Sequence, residues 1–166
     1  MPRSSIRAAS LISVLASAAA LGIAVASERW GGLVPCALCL LERWPYRIAI
    51  VLALVAACLP LTAARVLLGL VVLAVLADAA LAVVHVGVEV HAWPSPLPEC
   101  AAPRLSGTSV AERLAEMPAR PAKPCDAPTY MVPGLPLSMA AMNLIYALAF
   151  SALLAGFLWR TRGRAR

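Results

Sequence analysis

Four long apolar stretches alternate with polar segments along the chain. They are residues 8–27, 45–61, 66–88 and 137–159. About 20 apolar residues in a helix cross the ~30 Å hydrocarbon core of a bilayer. The pattern therefore predicts an all-α membrane protein, an antiparallel bundle of four transmembrane helices that forms a single domain over residues 1–166. The two longer polar segments, 28–44 and 89–136, are predicted to be loops on one side of the membrane, and residues 60–65 a tight turn on the other.

Composition supports the membrane assignment. The 166 residues are 62% hydrophobic and 13% charged, whereas about a quarter of the residues in soluble domains are charged. The net charge is +6, but the basic residues do not gather on one amphipathic face, so nucleic acid is not a predicted partner.

The first apolar stretch has the alternative of being a cleaved signal peptide, because Ala24-Val25-Ala26 resembles a cleavage site. The apolar core of a signal peptide usually runs 7 to 15 residues. This stretch is longer and favours a retained span.

Charge asymmetry predicts the orientation. The N-terminus, the 60–65 turn and the C-terminal tail hold seven arginines and no acid, while the other side holds seven basic and seven acidic residues. Cytoplasmic segments carry the excess of Lys and Arg. Both termini are therefore predicted to be cytoplasmic, and both loops to face the periplasm of a bacterial inner membrane. Tryptophans mark the span edges, as an interfacial belt would: Trp30, Trp44, Trp93 and Trp159.

The chemistry begins at Cys36-Ala-Leu-Cys39, which Pro35 precedes. A disulfide across so short a ring stabilises by about 2 kcal/mol, against about 3.5 kcal/mol for a ring of about 26 residues, so redox turnover suits it better than a structural role. Arg43 lies about one helical turn from Cys39, where a guanidinium favours a thiolate. A helix that opens after Pro35 would favour it further.

A second pair, Cys100 and Cys125, lies in the long polar loop. Taken alone, it would read as a permanent staple of that loop. Beside the first pair it suggests a relay, in which one pair exchanges with a soluble protein and the other passes electrons into the bilayer. A membrane quinone accepts two electrons and two protons, and Cys39 and Arg43 stand at the predicted membrane edge.

Together these features resemble the DsbB-type disulfide bond formation proteins. The resemblance rests on Pro-Cys-x-x-Cys followed by Glu42-Arg43 at the head of the second span, on Trp93-Pro-Ser-Pro leading to Cys100, and on Cys125 before the fourth span. It implies a thiol:quinone oxidoreductase that reoxidises a periplasmic DsbA-like, thioredoxin-fold oxidase.

The resemblance also implies roles for the residues. Cys100 and Cys125 would form the loop pair, with Cys100 attacked by the partner and Cys125 passing electrons to Cys36. Cys39 would face the quinone, ubiquinone or menaquinone, with Arg43 and the adjacent Glu42 at the quinone site.

Three alternatives remain beside this function. The thiols could be ligands of a metal-handling membrane protein, with His85 and His91 completing the set, although Arg43 nearby disfavours a dication, and no metal is predicted. A vitamin K epoxide reductase-like protein shares the four-helix core, but there the Cys-x-x-Cys is expected after the loop pair, the reverse of the order here. Last, both pairs could be structural staples.

Several polar residues fall in or near the spans. Asp78, deep in the third span, is predicted to pack neutral or hydrogen-bonded with Tyr146 at a similar depth, with a place on a proton path as the functional alternative. His85 and His91 are predicted to be solvated near the outer surface. Asn143 and Ser138 are predicted to form interhelical hydrogen bonds.

Three further predictions concern Cys58 and a small helix in the long loop. Cys58 is predicted to be a small buried apolar residue. Ser109 with Glu112 reads as a capping box that opens a small helix in the long loop. The apolar side chains of that helix, at Val110, Leu114 and Met117, are expected either to lie on the bilayer surface or to pack on the loop.

Overall fold

The computed structural model of the chain is all-helical and describes residues 3–100, 108–115, 123–132 and 134–163. The elements in chain order are α1 (Arg3–Arg29), α2 (Ala37–Leu41), α3 (Arg43–Cys58), α4 (Leu61–Glu89), a 3-10 turn (Pro98–Cys100), α5 (Val110–Ala115) and α6 (Met139–Gly163).

Four helical segments build the bundle. The helices α1, α4 and α6 are each long and apolar enough to cross a membrane. The fourth segment is α2 with α3, which follow one another across Glu42 and together run 22 residues. The predicted all-α class is confirmed.

The turn between α3 and α4 is shorter than predicted. The interpretation of residues 60–65 as a turn was wrong, because α4 begins at Leu61 and Arg65 lies within it. Leu59 is extended and Pro60 caps α4 with φ −59°. Proline is tolerated at the start of a helix, where its missing N–H costs no hydrogen bond. The helix over the third apolar stretch thus starts before residue 66, and the helix over the second ends at Cys58 rather than at 61.

Small residues let the helices approach closely. α3 packs against both α1 and α4, and α4 packs against α6. In the shared core the α3 alanines Ala49 and Ala53 lie fully buried with Leu68 and Val71 of α4. Alanine at such spacing brings backbones together, which favours helix association in lipid. Large apolar side chains such as Leu153 stand exposed on the outside of the bundle, as lipid contact requires.

Contacts at the ends of the helices define the two ends of the bundle. Arg65 Nη2 near the start of α4 donates to the Thr161 carbonyl near the end of α6, at 3.1 Å. Ile6, near the start of α1, belongs to the same core cluster as Leu154 of α6. The start of α1, the α3–α4 turn and the end of α6 therefore share one end, and α2 lies at the other.

The small loop helix forms as predicted. In α5, Ser109 Oγ accepts from the Glu112 N–H at 3.2 Å, and Glu112 Oε2 accepts from the Ser109 N–H at 3.0 Å, which confirms the capping box. Val110 and Leu114 are 76% and 60% exposed, so they do not pack on the described part of the loop. Met117 lies outside the described residues.

The prediction for Cys58 was wrong, since its side chain is exposed. It closes the last turn of α3 on the face away from the buried Ala49, Ala53 and Ala56. Apolar character alone does not tell which face of a span meets another helix.

Candidate active site

The first cysteine pair lies at the start of α2. Cys36 is the N-cap residue, and its Sγ accepts a hydrogen bond from the Cys39 backbone N–H at 3.2 Å. The two sulfurs stand as thiols 2.9 Å apart. Cys36 is buried and Cys39 half-buried. As expected from the sequence, a helix opens directly after Pro35.

The two thiols differ in acidity. The hydrogen bond from the Cys39 thiol, together with backbone N–H groups, lowers the pKa of Cys36. The same hydrogen bond and burial raise the pKa of Cys39. In the reduced pair, Cys36 is therefore the more acidic thiol and Cys39 the less acidic one. The expectation that Arg43 would favour a Cys39 thiolate was wrong, because its guanidinium pairs instead with Glu28 of α1 at 2.7 Å.

A histidine of α4 lies against the Cys36 sulfur. His85 Nε2 is 3.4 Å from Cys36 Sγ, and His85 Nδ1 is 2.8 Å from Glu42 Oε1. His85 is only 2% exposed, so the prediction that it is solvated was wrong. Cys36, His85 and Glu42 thus form a hydrogen-bonded line in which the carboxylate orients the imidazole toward the sulfur.

The line continues into the bundle through α6. Asn143 Nδ2 donates to Glu42 Oε2 at 3.1 Å and to Asp78 Oδ2 at 3.0 Å, and Tyr46 donates to Asn143 Oδ1 at 2.8 Å. The interhelical role predicted for Asn143 is confirmed. The pairing of Asp78 with Tyr146 was wrong, because Tyr146 donates instead across to a backbone carbonyl of α1.

Two further predictions on polar residues are confirmed. Ser138 donates from the start of α6 to a carboxylate oxygen of Glu89 at the end of α4. His91 follows α4 and its side chain is solvated, 4.0 Å from a carboxylate oxygen of Asp126.

The second cysteine pair is a disulfide packed on the first pair. Cys100 and Cys125 are bonded to each other, and both are buried. They share one hydrophobic cluster with Cys36, Leu38 and Val88, against which Cys39 also packs. The chain thus brings all four predicted cysteines together at one end of the bundle, although nearly 90 residues separate the first from the last.

The segment leading to Cys100 is attached to α4 by a tryptophan. Trp93 Nε1 donates to the Val84 carbonyl at 3.1 Å, and its ring lies on Gly87. A Cβ on Gly87 would come within 1.9 Å of that ring. Only glycine at position 87 therefore leaves room for this contact.

An apolar pocket opens on the other side of Cys39, with a volume of about 300 Å³. Its walls come from α1, α6 and the segments 33–35 and 129–131, and Cys39, Glu42, Arg43 and Asn143 form its polar end. Arg43 Nε has no hydrogen-bond partner among the described residues. The pocket therefore suits a flat, largely apolar molecule that carries a hydrogen-bond acceptor.

The sulfurs of Cys36 and Cys39 and a ring nitrogen of His85 all lie within 4.8 Å of one another. His91 does not join them. Three ligands are one short of a closed structural zinc site.

Comparison with known families identifies the chain. The family described as disulfide bond formation protein DsbB matches residues 6–157, which is most of the chain. Comparison with curated proteins and with solved structures gave no match. The resemblance carried by the cysteine motifs is thereby confirmed, and with it the four-helix membrane architecture. The chain belongs to the DsbB family, membrane proteins that reoxidise DsbA with a quinone.

Proposed function

We propose that electrons from the soluble partner enter this chain at Cys100–Cys125, pass to Cys36–Cys39 and leave to a quinone bound in the pocket beside Cys39. The observation that carries the proposal is the common position of the two pairs. Both lie in one buried cluster, and Cys39 alone of the four cysteines also lines the pocket.

The exchange runs through Cys36. Once the partner's thiols have reduced the loop disulfide, the Cys125 thiolate attacks Cys36 of the Cys36–Cys39 disulfide. A Cys36–Cys125 bond forms and Cys39 leaves, taking up a proton because its pKa is raised. Cys100 then attacks Cys125, which re-forms the loop disulfide and releases Cys36. Its lowered pKa makes Cys36 a good leaving group.

The pocket fits the quinone in shape and chemistry. Arg43, with its unpartnered Nε, would hold the carbonyl end, while the apolar walls from α1 and α6 would hold the ring. When bound, the quinone supplies an acceptor of two electrons and two protons. Glu28 fixes the Arg43 guanidinium by their 2.7 Å ion pair, so the pocket keeps one oriented donor group.

The proposed site lies in a bacterial inner membrane with both termini in the cytoplasm. In support, the start of α1, Arg65 and the end of α6 share one end of the bundle, and the arginine excess belongs to that end. The four cysteines then face the periplasm, where a DsbA-like thioredoxin-fold partner would meet them.

The test is quinone-dependent oxidation of a reduced DsbA-like protein by the purified chain, with ubiquinone and menaquinone in parallel. We expect wild type to turn over and both Cys39→Ser and Cys100→Ser to be inactive. The faster quinone identifies the acceptor. Activity that survives Cys100→Ser would reduce the loop pair to a staple, and no oxidation with either quinone would refute the proposal.

The three-ligand cluster of Cys36, Cys39 and His85 supports one second candidate, a metal-handling role. Metal content of the chain purified under reducing conditions separates the two. Stoichiometric zinc or copper that is lost in His85→Ala would favour the metal role over the oxidase.

A further inference from the structure

Two buried carboxyl groups share one amide beside the thiol pair. The Nδ2 of Asn143 donates to one oxygen of Glu42 at 3.1 Å and to one oxygen of Asp78 at 3.0 Å. Asp78 is fully buried, and its second oxygen, Oδ1, has no hydrogen-bond partner among the described residues. The arrangement places two acids, one at the junction of α2 and α3 and one on α4, in one buried site.

The surrounding charges do not balance two carboxylates. The titratable groups that face the two acids are Tyr46 from α3, Tyr146 from α6, His85 from α4, and Cys39, Arg43 and Glu28 at the pocket. Arg43 is paired with Glu28. Among the described residues, that leaves His85, which contacts Glu42 but not Asp78, as the one basic side chain hydrogen-bonded to either acid. Two like charges in a dry site disfavour each other, so one negative charge on the pair is favoured over two.

Glu42 connects this carboxyl pair to both sides of the reaction. Its Oε1 contacts His85, whose other ring nitrogen faces the Cys36 sulfur. The same Glu42 also lines the pocket beside Cys39. A proton taken up beside the Cys36 sulfur therefore has a route through His85 and Glu42 to the pocket that stays inside the protein.

We propose that Glu42 and Asp78 store one shared proton and that Glu42 delivers it into the pocket when the Cys36–Cys39 disulfide re-forms. The inference rests on the proposed function of the pocket. Asp78 and Asn143 are positioning residues, since they act through Glu42.

The step balances in electrons and protons. Closing the Cys36–Cys39 bond releases two electrons to the quinone, together with the proton of the Cys39 thiol. The second proton comes from the carboxyl pair through Glu42. His85, which takes up next to the released Cys36 sulfur the second proton brought in by the partner's two thiols, then passes a proton to Glu42 through Nδ1. The two protons that entered with the two electrons have then left with them, and the carboxyl pair is restored.

Infrared difference spectroscopy tests whether Glu42 and Asp78 share a proton, and the measurement needs no quinone. The full chain, stripped of quinone, is compared in its disulfide and dithiol forms in H₂O and D₂O. We expect one protonated carboxyl band that shifts in D₂O and differs between the two forms. The band should vanish in Asp78→Asn and return in Asp78→Glu. Glu89→Gln, which removes a carboxylate bound instead to Ser138, is the control and should keep it.

The pH dependence of the oxidation rate tests whether Glu42 delivers the proton into the pocket. Single-turnover oxidation of the reduced pair by added quinone should vary little across neutral pH in wild type. In Asp78→Asn the second proton must come from water, so the rate should fall by up to about tenfold for each pH unit of increase. Asp78→Glu should restore the flat profile. A merely structural role for Asp78 would instead lower the rate by the same factor at every pH.

The outcomes distinguish a failure of the shared-proton proposal from a failure of the proposed oxidase function. If wild type shows no protonated carboxyl band, or Asp78→Asn keeps the wild-type pH profile, the proton store is refuted while the oxidase stands. If no quinone oxidises the wild-type pair, the proposed function fails. The infrared band then still decides whether the carboxyls share a proton.

Discussion

The two cysteine pairs occupy one hydrophobic cluster but are built differently. Cys36 caps the helix that contains Cys39, and the Cys36 sulfur meets a backbone N–H and an imidazole that belongs to a network across α3, α4 and α6. Cys100 and Cys125 sit on a 3-10 turn and in the loop, where a backbone hydrogen bond of 3.3 Å joins the two residues. Among the described residues, no side chain donates a hydrogen bond to the sulfur of either one.

The difference shows where the protein controls thiol chemistry. At the helix pair, fixed neighbours set which sulfur carries the charge, so one thiol is acidic and the other is not. At the loop pair, reactivity depends chiefly on access, since both sulfurs are buried. Control by neighbours belongs to the pair beside the pocket, and control by exposure to the pair that we propose meets the partner.

The largest effect on the difference between the two pairs is expected from Cys36→Ser. We expect quinone-dependent turnover to be abolished, because Cys125 has no sulfur to attack. The loop disulfide should still oxidise one partner molecule per chain, which quantification of partner thiols at equimolar concentration measures. Multiple turnovers in this variant would show that the loop pair passes electrons on by another route.

Replacing Cys39 tests the unequal acidity. The pKa of Cys36 is lowered chiefly by the Cys39 thiol, so Cys39→Ala should raise that pKa and leave less thiolate at neutral pH. Alkylation of Cys36 at pH 7 should then slow by about tenfold for each unit of the rise. Cys39→Ser keeps a donor at this position and should keep part of the effect. Peptide mapping of iodoacetamide-treated, reduced protein across pH 5 to 10 measures it. Equal midpoints in the Ala and Ser variants would contradict the assignment.

A smaller effect is expected from Arg43→Gln. A hydrogen bond to a charged group contributes about 1.5–3 kcal/mol, so the KM for quinone should rise roughly tenfold or more while alkylation of Cys36 stays unchanged. Glu28→Gln, which keeps the guanidinium but loses its partner, should give a weaker rise. An unchanged KM in both variants would remove Arg43 from the pocket's function.

The smallest effect is expected in the loop helix. Ser109→Ala removes one half of the capping box, and we expect faster amide exchange over α5 with turnover within about twofold of wild type. Hydrogen bonds from the Ser109 backbone and from Thr108 lower the pKa of Glu112. The cap should therefore hold at neutral pH and weaken as acid passes through that lowered pKa. A large loss of turnover would mean that α5 takes part in partner exchange.

The membrane class and the cysteine chemistry could be read from the sequence because each depends on local pattern. Span length, the Cys-x-x-Cys spacing and the capping box at Ser109 involve residues near one another in the chain. The family motif connected Cys100 and Cys125 to them. These signals need no knowledge of which helix faces which.

The polar network could not be read in the same way because it depends on packing. His85 was expected to be solvated from its place near the end of a span, but Cys100 and Cys125 cover that end from far along the chain. One local signal was present. Asp78 and His85 are seven residues apart, which puts them on the same face of α4. Matching depths suggested Tyr146 for Asp78, yet depth does not say that Asn143 occupies that side.

The contact of Trp93 with Gly87 sets the length of a tether. Trp93 is held on α4, and Cys100 follows seven residues later. Seven extended residues span at most about 25 Å, so Cys100 stays within that radius of α4 even when it is joined to the partner. A tether of this length gives Cys100 an effective concentration at the bundle on the order of millimolar. In the proposed relay, the passage of electrons from Cys100–Cys125 to the bundle is therefore an intramolecular event, independent of how dilute the partner is.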